Sequence, residues 1–112
     1  MITFGTTIAR GGATVIEPSG RLDMVAAPQL KALVQTAVAD GATPVVIDLQ
    51  EVQFIDSTGL GALISGLRAT RQAGSDLRIA RAATQVKMVL EMTHIDRVIR
   101  PYASVEDALR AI

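Results

Sequence analysis

The run Val45-Val46-Ile47-Asp48-Leu49, set directly after Pro44, constrains the fold of this chain more than any other stretch. It is short, apolar and rich in β-branched residues, which favours a buried central strand over a helix. Upstream, Ile2 to Arg10 alternates in part and carries β-branched residues. Gly11-Gly12 marks a turn, and Ala13-Thr14-Val15-Ile16-Glu17 reads as a second strand, so the two form a hairpin. Pro18-Ser19-Gly20 is expected to interrupt that strand. Leu30, Leu33, Val34, Ala37 and Val38 then recur at i, i+3, i+4, i+7 and i+8, one face of a helix. Pro28 is tolerated in its first turn, and Gly41 stops it.

Downstream of the central run, a second helix is expected from about Ser57 to Ala73, with Leu60, Leu63, Ile64 and Leu67 facing inward. Leu77-Arg78-Ile79-Ala80 reads as a further strand. Val86, Val89 and Leu90, with Met88 and Met92, give a third helix, and the methionines fit helical core spacing. Val98-Ile99 is read as a short edge strand stopped by Pro101. Ser104, three residues before Asp107, resembles a capping box opening a last helix with Ala108, Leu109 and Ile112. Alternating strands and helices imply parallel pairings with crossover helices. The expectation is an α/β fold: one domain over 1–112, with a mixed, mostly parallel sheet of four to five strands and helices packed against it.

Composition narrows the function. The chain has 112 residues, 11 basic against 11 acidic, so its formal net charge is zero. The basic residues are interleaved with acids from Arg10 to Arg110, and the aromatic residues are Phe4, Phe54 and Tyr102. A nucleic-acid backbone needs a clustered positive patch, and single strands need stacking aromatics. Direct nucleic-acid binding is therefore not expected. Cysteine is absent, which excludes disulfides, thiolate chemistry and cysteine zinc sites. The N-terminus lacks the pattern of a signal peptide, and no run approaches the roughly 20 apolar residues that span a bilayer. A cytoplasmic protein without membrane insertion is expected.

Chemistry concentrates in Phe54-Ile55-Asp56-Ser57-Thr58-Gly59-Leu60-Gly61, which joins a strand to a helix. Asp56 and Ser57 can each cap orphan backbone N–H groups. The same place suits a phosphoryl group, because free N–H groups and the helix dipole favour negative charge. Gly59, Gly61 and Gly66 all lie within the helix. Each glycine costs about 1 kcal/mol relative to alanine in an exposed helix interior, and less near the start. Either close backbone approach by a partner or tight packing on the sheet explains them. Opposite the leucine face, a helical wheel places Thr58, Ala62, Ser65, Ala69 and Ala73, flanked by Gly66. A solvated face normally carries charge, so this small, uncharged stripe reads as a docking surface.

Enzymatic alternatives find little support. His94 is the only histidine, so no histidine pair exists for a metal. Asp23, Asp48 and Asp56 could form an acidic cluster for Mg²⁺, but Asp48 suits a strand end and Asp56 a cap. The G-x-S-x-G nucleophile elbow, G-x-G-x-x-G and G-K-[ST] are absent. No cofactor and no enzymatic activity are expected.

The segment Asp56-Ser57-Thr58-Gly59-Leu60-Gly61 closely resembles the phosphorylation motif of bacterial anti-sigma factor antagonists in the STAS family. The likeness extends to Gly20-Arg21-Leu22-Asp23, Val46-Ile47-Asp48-Leu49 and Leu90-Glu91-Met92-Thr93-His94-Ile95-Asp96. It implies a switch. The unphosphorylated protein binds an anti-sigma factor serine/threonine kinase and frees a sigma factor; phosphorylation of Ser57, with Thr58 the adjacent alternative, ends binding; a serine/threonine protein phosphatase restores it. The resemblance also implies an acidic residue beside the site, here Asp23. The partner surface would then comprise Asp23, Asp56, Thr58, Gly59, Gly61, Ala62, Ser65, Gly66 and Ala69. His94 departs from the glycine common among relatives. A regulatory subunit of a lipid or anion transport system is the alternative role that the family offers.

Overall fold

The computed structural model describes residues 2–110 and shows an α/β domain built on one six-stranded sheet. The strands are β1 (Thr3–Ile8), β2 (Thr14–Leu22), β3 (Val45–Asp48), β4 (Val52–Ile55), β5 (Leu77–Ala80) and β6 (Pro101–Tyr102). The helices are α1 (Ala27–Ala39), α2 (Ser57–Gln72), α3 (Thr84–Met92) and α4 (Val105–Arg110). The sheet order is β1-β2-β3-β5-β6, with β4 paired to the far end of β2. β1 is antiparallel to β2, and all other pairings are parallel. The mixed, mostly parallel sheet is as expected, with one strand more than the sequence reading allowed. That strand is β4, which comes after β3 and a short turn and leaves for a different neighbour.

Strand alternation sorts the core into two. Ile16, Ile47 and Ile79 point into the main core with Leu30 and Val34 of α1, Leu63 and Leu67 of α2, and Val86 and Leu90 of α3. Their chain neighbours Val15, Val46 and Ala80 point the other way and meet Ala108 of α4. Successive strand residues face opposite sides, so a run that is apolar at every position requires cover on both.

The expected break at Pro18-Ser19-Gly20 does not occur; β2 runs through it. The backbone N–H of Thr14 donates to Pro44 at 3.1 Å, and that of Gly20 donates to Glu51 at 3.0 Å. Even-numbered residues of β2 thus direct their N–H groups away from β1. β3 pairs with Thr14 to Ile16, and β4 pairs with Gly20 to Leu22. Pro18, which has no N–H to give, sits at the gap between those two neighbours.

Two further expectations change. The edge strand is Pro101–Tyr102, not Val98-Ile99; Ile99 is instead buried. Proline is compatible with the first position of an edge strand, where its missing donor is not needed. Met88 and Met92 do not join the core: both are exposed, as is Met24. Ile112 lies outside the described residues. The capping at Ser104 is found, its Oγ accepting the Asp107 N–H at 3.0 Å.

The largest correction concerns α2. Ala62 and Gly66, assigned to an outer face, are buried, as is Gly59. A Cβ on Gly66 would lie 2.8 Å from Leu77 Cδ1 and 3.4 Å from the Val34 methyls of α1. Gly66 lies on the seam along which α1 approaches α2, so the helix is covered on two sides. Its exposed side carries Ser57, Thr58, Gly61 and Arg68, with Ile64, Ser65 and Ala69 half-buried. Ala62→Arg should accordingly destabilise the fold by about 3 kcal/mol or more, since it places a charge in packed apolar surroundings. Ala69→Glu should stay within about 1 kcal/mol of the parent. Urea titrations of both variants measure the contrast.

Candidate functional site

Strands β2 and β4 end side by side. Leu22 is in register with Ile55, so Asp23 and Asp56 leave adjacent parallel strands at the same edge of the sheet. Each carboxylate then caps the turn of backbone just beyond its strand. Asp23 Oδ1 accepts the N–H groups of Val25 at 3.1 Å and Ala26 at 3.3 Å, closing the turn before α1. Asp56 is the N-cap of α2. Its Oδ1 accepts the N–H groups of Thr58 and Gly59, both at 3.0 Å, and the Thr58 hydroxyl at 2.6 Å. The sequence left Asp56 and Ser57 as alternative caps; Asp56 takes the role.

This cap separates the two hydroxyls. Thr58 Oγ1 donates to Asp56, while Ser57 is exposed in the first turn of the helix. The Thr58 hydroxyl, and after it the Gly59 N–H, hold the Asp56 carboxyl below its ordinary value. Partial desolvation works in the opposite direction.

Gly59 fixes where the helix starts. A Cβ there would lie 2.2 Å from the Leu22 carbonyl oxygen and 2.8 Å from Ile55 Cγ1. The same carbonyl accepts the Asp56 N–H at 3.4 Å. Only glycine lets the helix sit this close to the end of β2. Gly61 differs: it is exposed, and a Cβ would meet nothing within 4 Å. Of the two explanations open for these glycines, packing accounts for Gly59 and Gly66 and leaves Gly61 without a structural cause.

Two elements of the site escaped the sequence reading. Gln85 of α3 reaches the free edge of β4: its Oε1 accepts the Ile55 N–H at 3.1 Å, and its Nε2 donates to the Ile55 carbonyl at 3.5 Å. A side-chain amide thus stands in for a neighbouring strand just before Asp56. The contact spans 30 residues, and no local pattern signals it. Met24 and Val25 are 72% and 66% exposed, directly after Asp23. They add an apolar knuckle beside the α2 N-terminus, which the motif Gly20-Arg21-Leu22-Asp23 stops short of.

Asp48 stands apart from Asp23 and Asp56. It is buried and bonded through both oxygens to the Arg81 guanidinium, and Oδ1 also accepts the Gln50 N–H at 3.2 Å. Arg81 has a positive φ of 55°, and the hydrogen bond to Asp48 raises its pKa further. Among the described residues, no group of three or more acidic, histidine or cysteine side chains is placed to hold a metal ion. His94 ends α3 in the left-handed region, φ 60°. Glycine enters that conformation without strain, so histidine is the costlier residue at this position.

The STAS domain model matches residues 6–108. The chain belongs to the STAS domain family. The anti-sigma-F factor antagonist RsfB of Mycobacterium tuberculosis is 27% identical over 107 residues, covering 96% of this chain and 87% of that protein. The structure of an anti-sigma factor antagonist from Mycobacterium paratuberculosis superposes with a TM-score of 0.86 at 28% identity, covering 97% and 92% of the two chains. The Bacillus cell fate determinant SpoIIAA, solved in unphosphorylated and phosphorylated forms, shares the fold. Its TM-scores are 0.81 and 0.74 at 21% identity, over 96% of this chain and 93% and 96% of those chains. No described helix is long and apolar enough to cross a membrane.

This geometry has two measurable outcomes. Gln85→Leu should cost about 1–3 kcal/mol, the effect of leaving a buried backbone N–H without an acceptor. Hydrogen exchange should show the loss first at the Ile55 amide. The Asp56 cap should also be pH-dependent. Folding favours its carboxylate, so its contribution is complete above the unfolded value of about 3.9 and is lost as pH falls through the lower folded value. The stability gap between the parent and Asp56→Asn should therefore shrink as thermal melts are taken from neutral pH to below pH 4.

Proposed function

We propose that this chain is an anti-sigma factor antagonist whose binding is switched at Ser57. The unphosphorylated form binds an anti-sigma factor that is also a serine/threonine kinase; phosphorylation of Ser57 ends that binding, and a phosphatase reverses it. The protein acts in the cytoplasm through association alone and has no turnover of its own. One observation carries the reading: the Asp56 cap engages the Thr58 hydroxyl and leaves Ser57 exposed in the first helical turn. The likeness to RsfB and to the Mycobacterium paratuberculosis antagonist supports the antagonist role.

The contact surface is revised from the sequence expectation. Ala62, Gly66 and Gly59 contribute through packing. The surface offered to a partner is the stripe of Ser57, Thr58, Gly61, Ser65 and Ala69, flanked by Asp23, Asp56 and the apolar pair Met24 and Val25. Phosphate adds roughly −1.5 to −2 charges and a bulky group. In the free protein the helix N-terminus favours that charge and water solvates it. Under a packed partner the same group loses its water. A loss of about 2.8 kcal/mol lowers affinity roughly a hundredfold.

Phosphosite mapping after incubation with the cognate kinase and ATP should place phosphate on Ser57, also in Thr58→Ala. Ser57→Ala should bind persistently. Phosphate confined to Thr58, or unchanged affinity after full modification of Ser57, would remove the mechanism. Gly61 gives an independent check on the surface. Gly61→Ala should stabilise the isolated protein by up to about 1 kcal/mol, whereas Gly61→Arg should fold and fail to bind. Normal kinase binding by Gly61→Arg would show the stripe to be misassigned.

A further inference from the structure

β1 is an edge strand whose outward side is open. The N–H of Ala9 donates to the Ala13 carbonyl at 2.7 Å, closing the hairpin with a hydrogen-bonded pair. Antiparallel pairs alternate between bonded and non-bonded. In the register Thr3↔Ser19 to Ile8↔Thr14, the odd residues of β1 therefore bond to β2, and the even residues turn their N–H and C=O groups outward. The Thr14 N–H, which goes to Pro44, agrees with this assignment. Phe4, Thr6 and Ile8 thus present a row of unmatched backbone groups.

Natural edge strands are usually blunted by charge, proline or a bulge. β1 has none of these: Thr3-Phe4-Gly5-Thr6-Thr7-Ile8 is uncharged, and its register against β2 is unbroken. Ile8 is 72% exposed. It shares a sheet face with Phe4 and Thr6, whose partners across the hairpin are Thr14, Pro18 and Ile16. Phe4 packs partly on the main core, beside a shallow groove lined by Ala32 and Leu33 of α1.

We propose that the occupant of this edge is β1 of a second copy, paired antiparallel about a two-fold axis at Thr6. The strand complements itself in that register. Thr6 meets Thr6, and each Ile8 lies across from the other chain's Phe4, an aromatic to β-branched pair. All three residues use their outward backbone groups, the bonded positions of an antiparallel ladder. No like charges face each other across the axis. The sheet continues through both chains, and the most exposed large side chain of β1 gains cover. None of these residues belongs to the Ser57 site, so the association stands or falls independently of the switch.

Sedimentation equilibrium of the whole chain from micromolar to millimolar concentration tests this. The apparent mass should rise from 11.8 kDa toward twice that value. Thr6→Lys, which sets two lysines opposite each other on the axis, should weaken the dimer about tenfold or more. Thr7→Lys, on the opposite sheet face and directed by its backbone toward β2, should leave it within about threefold of the parent. Should Thr6→Lys fail to fold, hydrogen exchange on the unaltered chain decides: the Phe4, Thr6 and Ile8 amides should gain protection as concentration rises. A chain that stays monomeric overturns the proposal, even if this edge accepts a strand from another protein. So does a dimer indifferent to Thr6→Lys in its folded form, or one that forms without slowing those three amides.

Discussion

The approach of α2 to the Leu22 carbonyl is the contact on which the rest of the site depends. A side chain at Gly59 would occupy space that the carbonyl oxygen already fills, 2.2 Å away. Because glycine removes that obstacle, α2 starts against the end of β2. The Asp56 N–H reaches the same oxygen, and Asp56 is left at the N-cap with its carboxylate turned back onto the helix. The position of Ser57 is set by this geometry, not by a side-chain hydrogen bond of its own.

Two side-chain devices hold the strand ends that carry the loops. Gln85 supplies β4 with the donor and acceptor of a missing neighbour. The Arg81 pair neutralises Asp48 at the buried end of β3. Truncating Arg81, which is itself exposed, would leave the buried Asp48 carboxylate without its counter-charge. Both devices keep backbone groups and charges satisfied where the sheet stops.

Much of the fold was legible because its strongest signals are local. The β-branched run at Val45 marked the central strand, and the spacing of Leu30, Leu33 and Val34 marked α1. The failures share one cause: a local pattern does not say what lies next to an element. Pro18 reads as a break until the direction of its missing donor is known. A helical wheel divides α2 into an inside and an outside, yet a helix flanked by both the sheet and α1 has two insides, which is why Ala62 and Gly66 were misplaced. Val52 to Ile55 gives no separate strand signal because a four-residue strand beside a turn carries little periodicity. Within the site, Asp23, Asp56, Ser57 and Gly59 were legible as a motif. Gln85 was not, because its partner lies 30 residues away.

One oxygen of Asp56 collects three donors at the start of α2, and the hydroxyl of Ser57 is not among them. The bonds that keep the helix start in place and the exposed serine hydroxyl therefore belong to neighbouring but separate residues. Position 57 can exchange serine for a related residue without giving up the helix start. Such a division lets a lineage vary the exposed residue at this corner in single steps while the scaffold persists.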